Sequence, residues 1–159
     1  MQSCTAERNT GLGISAITDQ IYIAAHPKSA DVETIKELGV RLVINMIFHP
    51  PARGFSQPPL RLLTLRTFDS PWLPIPVKKL EKGVKEALPV IADGGAVLIY
   101  CREGRHRSVA MTAAILIGLG SSADEAMQLI AEKRAVADPY VPYIQRQIRG
   151  FEQHWRGDD

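Results

Sequence analysis

Cys101 stands at the junction of an apolar run and a basic loop, in the segment Val97-Leu98-Ile99-Tyr100-Cys101-Arg102-Glu103-Gly104-Arg105-His106-Arg107-Ser108. Arg107 follows the cysteine by six positions, which gives the pattern C-x5-R. A loop of this length can curl so that successive backbone N–H groups point inward and form a concave nest for a tetrahedral anion. If a helix opens at Arg107, its orphan N–H groups and positive dipole end add to that nest. Gly104 permits the backbone conformation of the curl, and the Arg107 guanidinium can grip two anion oxygens at once. Arg102, Glu103, Gly104, Arg105, His106 and Arg107 are therefore the candidate anion-binding residues.

The same field acts on the sulfur. A free thiol has a pKa of about 8.5 and is only a few per cent thiolate at neutral pH. A helix N-terminus and nearby cations bring that value to roughly 3.5–7.5. Ser108 can donate a hydrogen bond to the sulfur and help it leave. Nucleophile and anion cradle thus share one loop, an arrangement suited to attack on phosphorus. A buried, inert cysteine beside a solvated turn would account for Cys101 alone. It does not account for three arginines, a histidine, a glycine and Ser108 in the next seven positions.

Cleavage of a phosphate ester also needs an acid for the leaving oxygen. Asp69 is the leading candidate, in a loop stiffened by Ser70-Pro71-Trp72. Its bland alternative is a cap for a helix starting after Pro71, since aspartate favours caps. Asp93, in Asp-Gly-Gly, and Asp138, before Pro139, read better as turn residues.

Positioning these groups requires elements that alternate. Ile21–Ile23, Arg41–Ile47, Leu60–Phe68 and Ala96–Tyr100 read as extended. Residues 31–38, 77–91, 107–119, 122–133 and 142–155 read as helices, with Pro89 a possible end or kink of the second. Ser122-x-x-Glu125 is a capping-box pattern. Alternation of this kind predicts an α/β fold, a single domain with a mostly parallel sheet flanked by helices. Ligands of such sheets sit at the carboxyl ends of strands, where Cys101 lies. The expected organisation is a flexible segment over residues 1–14 and one domain over 15–156.

Composition is ordinary for a globular chain: 159 residues, 45% hydrophobic, 23% charged, formal net charge +2. That charge is too small to imply nucleic-acid binding. No apolar stretch reaches the roughly 20 residues that a membrane-spanning helix needs. Two cysteines, Cys4 and Cys101, are too few for a disulfide scaffold, so a reducing, cytoplasmic setting is expected. Cys4 reads as a free thiol in the N-terminal segment, with a redox pairing to Cys101 as its alternative. No cluster has metal-ligand spacing, and no cofactor is implied.

At Cys101–Ser108 the chain resembles the dual-specificity branch of the protein tyrosine phosphatase superfamily, whose signature is C-x5-R-[ST]. The 32 residues from Asp69 to Cys101 are similar to that family's separation of general acid and nucleophile. Weaker likeness runs through Ile17–Ala24, Leu42–Met46 and Ser108–His154. The resemblance implies a tyrosine-phosphatase-like fold and hydrolysis through a phosphocysteine on Cys101, with Asp69 as acid and then base. The catalytic set is then Cys101, Arg107, Asp69 and Ser108. One departure is Tyr100, where the family usually has a histidine.

The implied substrates are phosphorylated proteins, carrying phosphotyrosine or phosphoserine/threonine, or small phosphorylated molecules. Arg102, Arg105 and His106 offer more charge than one phosphate requires, which keeps inositol phosphates or phosphoinositides as the alternative. Two remoter readings are a rhodanese-like sulfurtransferase, whose loop is usually one residue shorter, and a non-catalytic phosphate-binding module.

Overall fold

A computed structural model describes residues 13–157; Cys4 lies outside them. Five strands form one sheet in the order β1 (Ile14–Thr18), β2 (Ile21–Ala24), β5 (Ala96–Tyr100), β3 (Val40–Asn45), β4 (Arg61–Thr64). β1 pairs antiparallel to β2, and every other pair is parallel. The mostly parallel α/β sheet expected from the alternation is therefore the one observed.

β5 occupies the centre because all five of its side chains are apolar or aromatic and all are buried. A strand covered on both faces has no polar side to alternate with. Helix α3 (Arg107–Gly118) follows it and is buried from Ser108 to Ile117. Around α3 pack α2 (Val77–Ala92), α4 (Ala123–Lys133) and α5 (Pro142–Arg156). The short helix α1 (Val32–Glu37) packs on β3. The capping box of α4 forms as its sequence predicts: the Glu125 N–H donates to Ser122 Oγ at 3.1 Å, and the Ser122 N–H donates to Glu125 Oε1 at 2.9 Å.

The fold decides three points of detail. β1 starts at Ile14, the last residue of the segment expected to be flexible. Pro89 does not end α2, which continues to Ala92. The residue whose carbonyl it leaves without a partner, Lys85, is exposed to water like Pro89 itself. No helix opens after Pro71. Residues 70–73 make a turn in which the Trp72 N–H donates to Ser70 Oγ at 3.1 Å, so Asp69 caps nothing.

The carboxyl ends of β3, β4 and β5 deliver three loops to one edge. Beyond β4, the chain stays beside β3's extension: the Leu65 N–H donates to the Asn45 carbonyl and the Thr67 N–H to the Met46 carbonyl, each at 2.9 Å. That pairing carries Asp69 to the same edge as Cys101. Among the described residues, no helix is long and apolar enough to cross a membrane.

Candidate active site

The three loops enclose a pocket of about 420 Å³ lined by Cys101, Arg102, Glu103, Arg105, His106 and Arg107 on one side. Ile47, Phe48, His49, Thr67, Phe68 and Asp69 form the other. Seven of the nine residues singled out in the sequence thus line the pocket. The other two, Gly104 and Ser108, are buried behind it, at the back of the loop and in the first turn of α3.

Cys101 is 3% exposed. The Gly104 N–H donates to its sulfur at 3.2 Å, and Ser108 Oγ lies 3.2 Å away. Burial pushes the thiol up. Hydrogen bonds from the Ser108 hydroxyl and from the N–H groups of Ser108, Arg105 and Gly104 outweigh it and hold Cys101 below the ordinary thiol value. The curl therefore aims the N–H groups of Gly104, Arg105 and Ser108 inward, at the sulfur.

Gly104 has φ +66°, and a Cβ there would stand 2.9 Å from the Ala24 carbonyl oxygen. Only glycine fits this turn without moving β2. The close approach makes room for a residue that the sequence did not single out, Arg134. Buried to 5% exposure, it follows α4 and reaches behind the loop. Its Nε donates to the Gly104 carbonyl at 2.8 Å, Nη2 to the Glu103 carbonyl at 3.1 Å, and Nη1 to the Gly13 carbonyl at 2.9 Å and Ser15 Oγ at 3.0 Å. By holding the carbonyls outward, Arg134 keeps the N–H groups inward. It also places a cation near the sulfur: burial pulls Arg134 down, and the charge of Cys101 pushes it back up.

Arg107 is fixed at one edge by donation from Nη1 to the Thr67 carbonyl at 2.8 Å. Arg105 is half exposed, with Nε 3.9 Å from Glu103 Oε2. His106 does not point to solvent. Its Nδ1 lies 3.0 Å from Asp69 Oδ2 and 3.2 Å from the Tyr143 hydroxyl, which itself donates to Asp69 Oδ1. Burial pushes the Asp69 carboxyl up; the Tyr143 and His106 hydrogen bonds and the charges of His106 and Arg107 outweigh it and leave Asp69 below its usual value. Tyr143 is the second residue that sequence reading missed. It lies 74 positions from Asp69, at the start of an amphipathic helix, and nothing local marks it.

Tyr100 is wholly buried under the loop, its ring stacked on His26 with centroids 5.6 Å apart. Burial pushes its phenol well up, so it stays neutral. The thiol is thus lowered by its own loop, without a histidine at position 100.

No family model matches the chain. Dual specificity phosphatase 28 of Mus musculus is 28% identical over 138 residues, covering 86% of this chain and 82% of that protein. The crystal structure of human DUSP28 superposes with a TM-score of 0.80 at 25% identity, over 91% of this chain and 95% of that one. PTPMT1 in complex with PI(5)P superposes with a TM-score of 0.82 at 25% identity, over 91% and 97%. With the C-x5-R loop folded as an anion cradle at the end of a central parallel strand, these likenesses converge: the chain is a cysteine-dependent phosphatase similar to the dual-specificity branch of the protein tyrosine phosphatase superfamily.

Proposed function

We propose that the chain dephosphorylates proteins at phosphotyrosine or phosphoserine/threonine, with Cys101 as nucleophile and Asp69 as acid and base. The observation that carries this reading is the loop that turns the N–H groups of Gly104, Arg105 and Ser108 onto the Cys101 sulfur and lowers its thiol. Asp69 lines the opposite wall.

In the first step the substrate phosphate occupies the cradle of N–H groups from residues 102–107, with Arg107 bridging two equatorial oxygens. The thiolate attacks phosphorus in line. A P–S bond forms as the P–O bond breaks, and Asp69 gives its proton to the leaving oxygen. The lowered carboxyl of the empty site is recharged with a proton when the phosphate dianion brings negative charge beside it. In the second step water attacks phosphorus, Asp69 takes the water's proton, and the thiolate leaves with the help of the Ser108 hydroxyl.

Phe48 and Phe68 form a pair at the mouth, with centroids 4.9 Å apart and about half of each residue exposed. An aromatic phosphate carrier has ring faces to lie against there. A nucleophile that must remain a thiolate works in a reducing compartment, and on that ground we place the protein in the cytoplasm.

A phosphoinositide is the second reading, because Arg102 and Arg105 line the pocket and the PTPMT1 structure holds PI(5)P. Against it, His106 Nδ1 is turned to Asp69 and Tyr143, which leaves at most Nε2 for a further phosphate. A phosphotyrosine peptide should therefore give a higher kcat/KM than PI(5)P or a soluble inositol polyphosphate. The opposite order would replace the protein substrate with the lipid one.

The acid is tested by pH. Turnover needs the Cys101 thiolate and protonated Asp69, so the rate should fall about tenfold per pH unit on its alkaline limb. In Asp69→Asn that limb should be flat, because no carboxyl remains to lose its proton. An unchanged alkaline limb in Asp69→Asn would remove Asp69 from the role.

A further inference from the structure

Asp69 sits in a segment, residues 65–76, that has no helix or strand of its own. Such a loop must be fastened for its carboxyl to meet a leaving oxygen, since small misplacements of a catalytic group cost large factors in rate. Trp72 is 88% accessible, so the loop's tip supplies no anchor.

The fastening comes from elsewhere. Helix α5 buries Ile144, Ile148 and Phe151 against the core and is a rigid base. From its first turn, Tyr143 donates to Asp69 Oδ1. One turn later, on the same face, Gln147 Oε1 accepts from the Ile75 N–H at 3.2 Å. The loop is thus held to α5 at both ends. Asp69 Oδ2 meets His106 Nδ1 at 3.0 Å, which ties the acid loop to the nucleophile loop. The Tyr143 hydroxyl, 3.2 Å from His106 Nδ1, closes a three-membered contact. Burial and the Asp69 carboxylate push the Tyr143 phenol up to about 12, so it remains a donor.

The geometry points to Tyr143 and His106 as positioning residues that clamp the acid loop over the nucleophile loop and aim Asp69 at the leaving oxygen. This rests on Asp69 being the acid. The clamp has a cost in protonation, because both hydrogen bonds favour the ionised carboxylate. Position and protonation therefore respond oppositely when it is loosened. Tyr143→Phe makes Asp69 easier to protonate and leaves it less well aimed.

The test compares two substrates in wild type, Asp69→Asn, Tyr143→Phe and the double variant: a phosphoserine peptide, whose leaving oxygen needs a proton, and p-nitrophenyl phosphate, whose leaving group scarcely does. Tyr143→Phe should lower kcat on the peptide by about ten- to a hundredfold, the value of a hydrogen bond to a charged group. The p-nitrophenyl ester should lose less than about threefold on the same principle, and the alkaline limb should move up. In the Asp69→Asn background the further substitution should have no leaving-group-dependent effect. His106→Ala should follow the same pattern, and His106→Asn, which restores a donor, should recover most of the loss.

Equal losses on both substrates would make Tyr143 merely structural and overturn the clamp. So would a rise in peptide turnover, which would mean that the hydrogen bond only restrained protonation. Should Tyr143→Phe fold poorly, the contrast between His106→Ala and His106→Asn decides, and equality of those two variants with wild type would count against the clamp. If Asp69→Asn itself shows no leaving-group dependence, the acid assignment falls first and the clamp with it.

Discussion

Replacing Cys101 by serine is expected to lower kcat on the order of ten-thousandfold or more, the scale on which loss of a covalent nucleophile acts. The loop holds the thiol below its ordinary value through the hydrogen bonds of Ser108, Arg105 and Gly104. A serine hydroxyl has no comparable thiolate-like form at neutral pH, and among the described residues no carboxylate or imidazole hydrogen-bonds to the side chain at position 101 to make one. In the proposed mechanism the phosphate is cradled by backbone donors, set by the curl that Gly104 and Arg134 maintain. The variant should therefore fold and still bind phosphate or a phosphopeptide, with Kd changed only slightly. Calorimetric titration beside a turnover assay checks both halves. Turnover within about tenfold of wild type would be a loss far smaller than removal of a nucleophile produces.

The second large effect belongs to Arg107. Its guanidinium is held at one edge by the Thr67 carbonyl at 2.8 Å, which fixes the plane of the fork and leaves its other N–H groups for the phosphate. Lysine keeps the charge but presents a single ammonium that cannot span two equatorial oxygens while holding Thr67. Arg107→Lys should lower kcat/KM by about 10²–10³-fold, as loss of an anion-hole donor does. Arg107→Ala should lower it further. Rates for Arg107→Lys near wild type would show that charge alone, without the fork, suffices.

What could be read from the sequence was whatever the chain encodes locally. The run Ala96–Tyr100 is apolar at every position, so a central strand was the only economical element for it, and the loop that follows carries its chemistry within eight consecutive residues. Cys101, Arg107 and Ser108 meet because they are close in sequence. Asp69 was singled out by its place in a loop after an extended segment, and the family resemblance, through its spacing from Cys101, added to that choice. What stayed hidden depends on contacts between distant residues. Arg134 touches Gly13 across 121 positions and Gly104 across 30. The turn around Asp69 is set by Tyr143 and Gln147 on α5, more than 70 residues away. β1 escaped notice because Ser15 and Thr18 dilute its apolar pattern, and its place is fixed by pairing with β2. Positions 105 and 106 looked alike as surplus charge. In the fold they part company, with Arg105 half exposed beside Glu103 and His106 tied to Asp69.

In this enzyme the phosphoryl group passes through the sulfur of Cys101. Asp69→Asn enzyme is suited to catching it, because the carboxyl that would activate the hydrolytic water is gone while an aryl ester with a good leaving group can still phosphorylate the thiolate. Rapid acid quench of that variant with p-nitrophenyl phosphate, followed by mass spectrometry of its peptides, should find one phosphoryl group on the peptide containing Cys101. The same quench with Cys101→Ser should find none. Product release in the first turnover with no phosphoryl group on that peptide, or with the group on another residue, would contradict the account.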